Sequence, residues 1–232
     1  SLTIPGSMDT AHHPKLLSLL IPAFNSAKRL RPAYEAIRNC LDTAQIPFEM
    51  LIIDDGSKDD TWEVMKTLAA EDSRIRPFRM SRNYTSPYVQ FAGMSVCRGA
   101  CISFMPDDLQ RPLETLVESY RLWEKGHKLV ISYRSSRNDG WLNDLFSSTY
   151  YRIMNALSEV TFPPGGADAF FADREIIDIM NTRIHPIHTS AVVEVLRLGF
   201  DPVFIPFDRP SRPGKSRWTW KKKVRLAKDT FF

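Results

Sequence analysis

The sequence predicts an α/β protein built on a Rossmann-like, mostly parallel sheet with helices on both faces. Two observations predict it. Apolar runs of strand length alternate four or five times with stretches of helical periodicity. Three of the strand runs end in polar clusters, Pro22-Ala23-Phe24-Asn25, Asp54-Asp55-Gly56-Ser57 and Pro106-Asp107-Asp108-Leu109-Gln110. Ligands of open parallel α/β sheets bind beyond the carboxyl ends of the strands.

Taken in order, Leu16 to Ile21 reads as a buried strand that Pro22 stops. Ala33, Ile37, Cys40, Leu41 and Ala44 recur at helical spacing, with Pro32 in the first turn. Met50 to Ile53 is the second strand, and Asp59 or Asp60 caps a helix carrying Trp62, Met65, Leu68 and Ala69. A weak strand over Ile75–Met80, a helix over Tyr88–Val96 and a strand over Cys101–Met105 follow. Leu113, Leu116, Val117, Tyr120 and Trp123 mark the next helix, and Leu129 to Ile131 the next strand. From Asn138 the pattern loosens into a helix over Trp141–Leu157, a Pro-Pro-Gly-Gly turn at 163–166, helices near 174–181 and 189–198, and a short strand over Val203–Ile205. The first half reads as the sheet; the second is expected to build the rest of the site on it.

The 232 residues, 43% hydrophobic and 25% charged, suit one domain with an appendage. No run of about 18 apolar residues and no signal peptide is visible. Residues 1–13 read as a cloning remnant ahead of Met8 plus a flexible tail, 14–208 as the folded domain and 209–232 as a basic segment. Three cysteines are too few for a disulfide scaffold, which suits a reducing compartment. Cys97 with Cys101, and His185 with His188, lack the company of further ligands and are not read as metal sites. Trp141, Tyr150 and Tyr151 read as core, and Asp173 as a helix cap.

The net charge of +4 is unevenly spread. Nine Lys/Arg and no Asp/Glu lie between Arg209 and Lys228, leaving 22 basic against 27 acidic residues elsewhere. Within that segment Trp220, Val224, Ala227 and Phe231 share one helical face, with Lys221, Lys222, Lys223, Arg225 and Lys228 around the rest. A basic amphipathic helix with aromatics predicts a membrane surface as partner. Nucleic acid is not expected, since the basic patch is one terminal segment on an acidic body and no nucleic-acid motif is present.

Asp54, Asp55, Asp107 and Asp108 should gather at one edge of the sheet. Carboxylates converging without matching cations repel unless they share a metal, and oxygen ligands suit Mg²⁺ or Mn²⁺.

Five segments, LSLLIPAFNSAKRL with MLIIDDGSKDDT, SRNYTSPYVQFAGMSVCRGACISFMPDDLQRPLE, LVISYRSSR, TFPPGGADAFFADRE and RPGKSRWTWKKKVRLAKD, occur in an order and spacing that resemble the family 2 glycosyltransferases of GT-A fold. Among these the likeness is to the dolichyl/polyprenyl-phosphate sugar synthases, over about residues 16–232. The resemblance implies inverting transfer of a sugar from a nucleotide-diphosphate sugar, UDP-linked in preference to GDP-linked, to a polyprenyl phosphate at the cytoplasmic membrane face. It places Pro22, Phe24 and Asn25 around the nucleoside, Asp55 and Asp54 on base and ribose, and Arg134 and Arg137 on phosphate. It makes Asp108 and Gln110 the metal residues, with Asp107 a substitute ligand if the loop kinks. Arg212, Ser216 and Arg217 fall on a loop that approaches the phosphates, and Asp168 on the acceptor edge as a base or acceptor contact. Transmembrane helices commonly begin in that subgroup where this chain stops, at Phe232, so a longer native chain is expected, peripheral or anchored; a homo-oligomer is compatible with the reading.

Four departures stand out. Pro106 replaces the first Asp of an Asp-x-Asp motif; Ser26 stands where an acidic residue often follows; Asn143-Asp144 replace a basic pair; and Phe170 replaces an Arg. In extended backbone Asp108 and Gln110 would share a face and Asp107 would point away. The last two departures remove positive charge that could hold an acceptor phosphate. Two alternatives therefore stand beside the lipid-phosphate acceptor: a sugar hydroxyl in surface-polysaccharide assembly, which needs a carboxylate base such as Asp168, and a sugar-nucleotide-binding protein whose catalysis has decayed.

Overall fold

A computed structural model describes residues 13–84, 86–134, 169–185 and 190–208. The elements are β1 (His13–Ala23), α1 (Ala27–Thr43), β2 (Phe48–Asp54), α2 (Thr61–Glu71), β3 (Ile75–Arg79), α3 (Ser86–Val96), β4 (Gly99–Phe104), α4 (Leu113–Glu124), β5 (Leu129–Arg134), β6 (Ala169–Asp173), α5 (Arg174–Arg183), α6 (Ala191–Arg197) and β7 (Pro202–Phe207). The strands form one seven-stranded sheet in the order β3-β2-β1-β4-β6-β5-β7. Neighbours are parallel except for β6, which runs against both β4 and β5.

The alternation of side chains along β1 explains its apolar run. Leu17, Leu19, Ile21 and Ala23 enter one core with Leu30, Ile37 and Leu41 of α1, Met65 and Leu68 of α2, and Leu116 and Tyr120 of α4. Leu20 enters the other, with Val89 and Met94 of α3, Ile176, Ile177 and Met180 of α5, and Ala191 and Val195 of α6. With both faces covered, the strand has no solvent side to be polar on.

Three details differ from the sequence-based expectation. Pro22 lies inside β1, in register with Ile53. Leu20 turns its carbonyl to β4, accepting from Met105 N–H at 3.0 Å. Pro22, two residues on, faces the same way where β4 has already ended, so its missing N–H costs no ladder bond. Helix α1 starts at Ala27, which puts Pro32 in the second turn rather than the first, on a solvent-exposed position. The strand β6 was not anticipated at all. Ala169-Phe170-Phe171-Ala172 carries no period because Phe170 and Phe171 enter opposite cores. Among the described residues, the chain beyond β5 thus supplies two strands of the sheet, β6 and β7, rather than only an annex to it.

Candidate functional site

The parallel strands direct their carboxyl ends to one rim, and the loops leaving β1, β2, β3 and β4 meet there through specific hydrogen bonds. Asn25 takes a left-handed backbone conformation, φ 49°, that turns the chain from β1 into α1. Its N–H donates to Ser57 Oγ at 2.9 Å, and its side-chain oxygen accepts from Lys58 N–H at 3.0 Å. Asp59 crosses the same gap, accepting from Ala27 N–H at 3.2 Å and Thr61 N–H at 3.1 Å. Of the two acids offered as caps, Asp59 makes these bonds, whereas Asp60 holds the N-cap position of α2 without a side-chain cap bond.

Asp54 and Asp55, adjacent in sequence, have different surroundings. Asp54 is fully buried, accepts from Ser57 N–H at 2.8 Å and pairs with Arg79 Nε at 3.1 Å. That makes it a buttress for the loop, not the base-and-ribose contact expected of it. Asp55 is 5% exposed and accepts from Tyr84 N–H at 2.7 Å, which draws the loop after β3 over the end of β2. Gly56 between them and Ser57 has φ 75°, and a Cβ there would lie 2.9 Å from Asn83 N. Only glycine fits this contact.

The loop after β4 shows how the backbone runs past Pro106. Leu109 N–H donates to Pro106 O at 3.1 Å, and Leu109 has φ 50°. The backbone therefore turns, and the extended pattern assumed for 106–110 does not apply. Asp108 and Gln110 still meet: Gln110 Nε2 donates to Asp108 Oδ2 at 2.5 Å. Asp107 swings instead to the start of α1. Its Oδ2 accepts from Arg29 Nη2 at 2.7 Å, from Arg29 Nε at 3.1 Å and from the Ser26 hydroxyl.

The donor set bears on a metal. Asp108 and Gln110 offer one carboxylate and one amide oxygen at the rim, which fits Mg²⁺ or Mn²⁺ when phosphate oxygens of a ligand fill the remaining positions. Asp107 already carries a guanidinium. Among the described residues no group of three or more His, Cys, Asp or Glu could hold a metal. The thiols of Cys97 and Cys101 are buried, and burial pushes both up, away from nucleophilic use.

Other expected residues fall as follows. Pro22 and Phe24 lie at the end of β1, Phe24 44% exposed beside Asn25. Arg134 ends β5, in register with Phe207, on the same rim. Phe170 is fully buried with its ring 4.6 Å from that of Phe104, so the position expected to hold an Arg faces the core. Asp173 caps α5 through Glu175 N–H at 3.0 Å, as read. Arg137, Asn143, Asp144, Asp168, Arg212, Ser216, Arg217 and the amphipathic stretch from Trp220 lie outside the described residues. Sequence reasoning missed Arg29, Arg79 and Tyr84. Only their closeness to the polar strand ends hinted at them.

A mixed sheet of this order, with one reversed strand and a carboxylate-bearing turn beyond β4, defines an α/β protein of the GT-A type. The chain belongs to glycosyl transferase family 2, whose family model matches residues 18–180. It is 27% identical over 215 residues to a Bacillus subtilis (strain 168) protein named as a glycosyltransferase, CsbB, covering 92% of this chain and 65% of that one. It is 28% identical over 163 residues to the bactoprenol glucosyl transferase of Shigella phage SfV, covering 70% of this chain and 53% of that one. The chain thus spans about half to two-thirds of the length of these relatives. Among solved structures, mannosyl-3-phosphoglycerate synthase from Rubrobacter xylanophilus superposes with a TM-score of 0.60 at 17% identity, over 92% of this chain and 71% of that one. Glucosyl-3-phosphoglycerate synthase from Mycobacterium tuberculosis, in complex with UDP, gives 0.58 at 16% identity, over 99% and 86%. Both support the GT-A-like fold.

Proposed function

We propose that this chain is the catalytic domain of an inverting glycosyltransferase that takes a nucleotide-diphosphate sugar, UDP-linked in preference to GDP-linked, and passes the sugar to a polyprenyl phosphate. The observation that carries the donor half is the rim itself, where Asp55 and the Asp108–Gln110 turn stand at the ends of neighbouring parallel strands β2, β1 and β4. The acceptor half is supported by the relatives named as bactoprenol glucosyl transferases. Phe24 and Asn25 face the nucleoside, Asp55 accepts from base or ribose, and Asp108 with Gln110 holds Mg²⁺ or Mn²⁺. A solved neighbour, a Pyrobaculum calidifontis mannosyltransferase, is described with GDP-Man and Mn²⁺. When bound, the cation would neutralise charge on the leaving diphosphate. Arg134, at the end of β5, adds a charge-assisted contact to phosphate. A polyprenyl phosphate oxygen is already ionised near neutral pH, so attack at the sugar needs no protein base. The basic segment 209–232 brings the domain to the lipid surface.

Titration calorimetry of UDP, GDP, CMP and dTDP, each with Mn²⁺ and with EDTA, tests the donor half. Mn²⁺-dependent binding of one diphosphate, weakened in Asp108→Asn by more than the roughly 10- to 100-fold that loss of an outer-sphere partner costs, is the expected result. Binding indifferent to the cation would refute the metal assignment. Transfer of labelled sugar to polyprenyl phosphate in detergent then tests the acceptor. Asn143-Asp144, standing where the resembled subgroup carries a basic pair, favours a second reading, transfer to a sugar hydroxyl; there Asp168→Asn would abolish turnover with donor binding intact.

A further inference from the structure

We propose that Arg29, Asp107 and Ser26 form a positioning lock for the Asp108 turn, and that Asp107 serves the donor site through this lock and not as a metal ligand. The proposal rests on the donor-site reading above and deepens it. Three donors, Arg29 Nη2 at 2.7 Å, Arg29 Nε at 3.1 Å and the Ser26 hydroxyl, converge on one oxygen of Asp107. The Asp107 and Arg29 side chains are 13% and 29% exposed, so the pair is shielded from much of the solvent that weakens surface ion pairs. The partners come from different elements: Asp107 from the turn after β4, Ser26 and Arg29 from the start of α1.

The turn needs such a hold. Leu109 occupies the left-handed region at φ 50°, where a branched side chain is disfavoured and the surroundings must impose the conformation. Ser26 is a firm anchor because it is fully buried and fixed by its own bonds. Its N–H donates to Thr61 Oγ1 at 2.7 Å, and its Oγ accepts from Phe24 N–H at 3.0 Å and from Arg29 Nη2 at 3.1 Å. Through Ser26, the turn bearing Asp108 is coupled to the loops bearing Phe24 and, by way of Thr61, the start of α2. With three donors on Oδ2 and a guanidinium already offsetting its charge, Asp107 is a weak ligand for a cation. Asp108 is left as the carboxylate of the turn that serves the metal, and the lock sets where it stands.

The test is a double-mutant cycle on the whole chain. Asp107→Asn, Arg29→Gln and the pair together are titrated with whichever of UDP, GDP, CMP or dTDP the wild type binds most tightly, with Mn²⁺ and with EDTA, alongside thermal melts. A lock predicts that each single variant weakens Mn²⁺-dependent binding by about 10- to 100-fold, as outer-sphere partners do. It also predicts that the double variant is no weaker than the weaker single, because both break one interaction. Arg29→Lys, which keeps the charge without the fork, should fall between wild type and Arg29→Gln. Two results would overturn the lock: loss of the Mn²⁺ response in Asp107→Asn with Arg29→Gln like wild type, or lowered melting temperatures with binding unchanged. Absence of nucleotide binding by the wild type would instead bring down the donor-site reading, and the lock with it.

Discussion

Asp72, at the end of α2, accepts hydrogen bonds from Arg74 Nη2 at 2.8 Å and from the Tyr34 hydroxyl at 2.9 Å. The Arg74 bonds outweigh its partial burial and hold its carboxyl down at about 2, against an ordinary 3.8. A depressed folded pKa gives stability that is present above about pH 4 and is lost as pH falls through about 2. Its size is about 1–2 kcal/mol after allowance for the half-exposed Arg74. Denaturant unfolding of wild type and Asp72→Asn at pH 5, 3 and 2 should show the wild-type advantage shrinking across that window; parallel curves would refute it. Other differences at this scale were invisible in the sequence. Asp54 and Asp55 are identical letters, both buried, and only their partners, Arg79 for the one and Tyr84 N–H for the other, tell them apart. Asp107 likewise depended on a turn whose direction Leu109 sets, and no spacing rule reports a φ angle.

Elements were more legible than residues wherever period and packing agreed. In α1 the buried Leu30, Ala33, Tyr34, Ile37 and Leu41 lie on the face that their spacing marks, although the helix starts six residues before the first residue used to find it. The strand β6 escaped because burial on both faces erases the period that would have announced it. Close approach between elements adds a constraint that composition does not display. Gly93 of α3 sits so near β1 that an added Cβ would lie 2.5 Å from both Cδ atoms of Leu20, a fully buried side chain. Gly93→Ala gains helix propensity yet must displace Leu20, so it should destabilise the fold by about 1–3 kcal/mol. A chemical-denaturation midpoint equal to or above wild type would contradict this packing account.

At the scale of the whole molecule, β6 is the joint between two blocks of parallel strands, β3-β2-β1-β4 on one side and β5-β7 on the other. Phe171 fastens that joint from one face, 1% exposed, with ring centroids 6.3 Å from Tyr120 and 6.4 Å from Trp123. Phe171→Ala should cost about 3–5 kcal/mol and still unfold in one step. Backbone circular dichroism and tryptophan fluorescence should therefore give coincident transitions; separated transitions would mean that the blocks fold independently. The reversal of β6 has a different consequence for how such a molecule diversifies. Arg134 leaves the sheet at the rim and Ala169 re-enters it at the rim, on adjacent strands whose register pairs Ser132 with Ala169. The intervening stretch is thus an excursion with both feet on the same threshold. Its length and composition can change while the order of the described strands stays as it is, because entry and exit lie side by side.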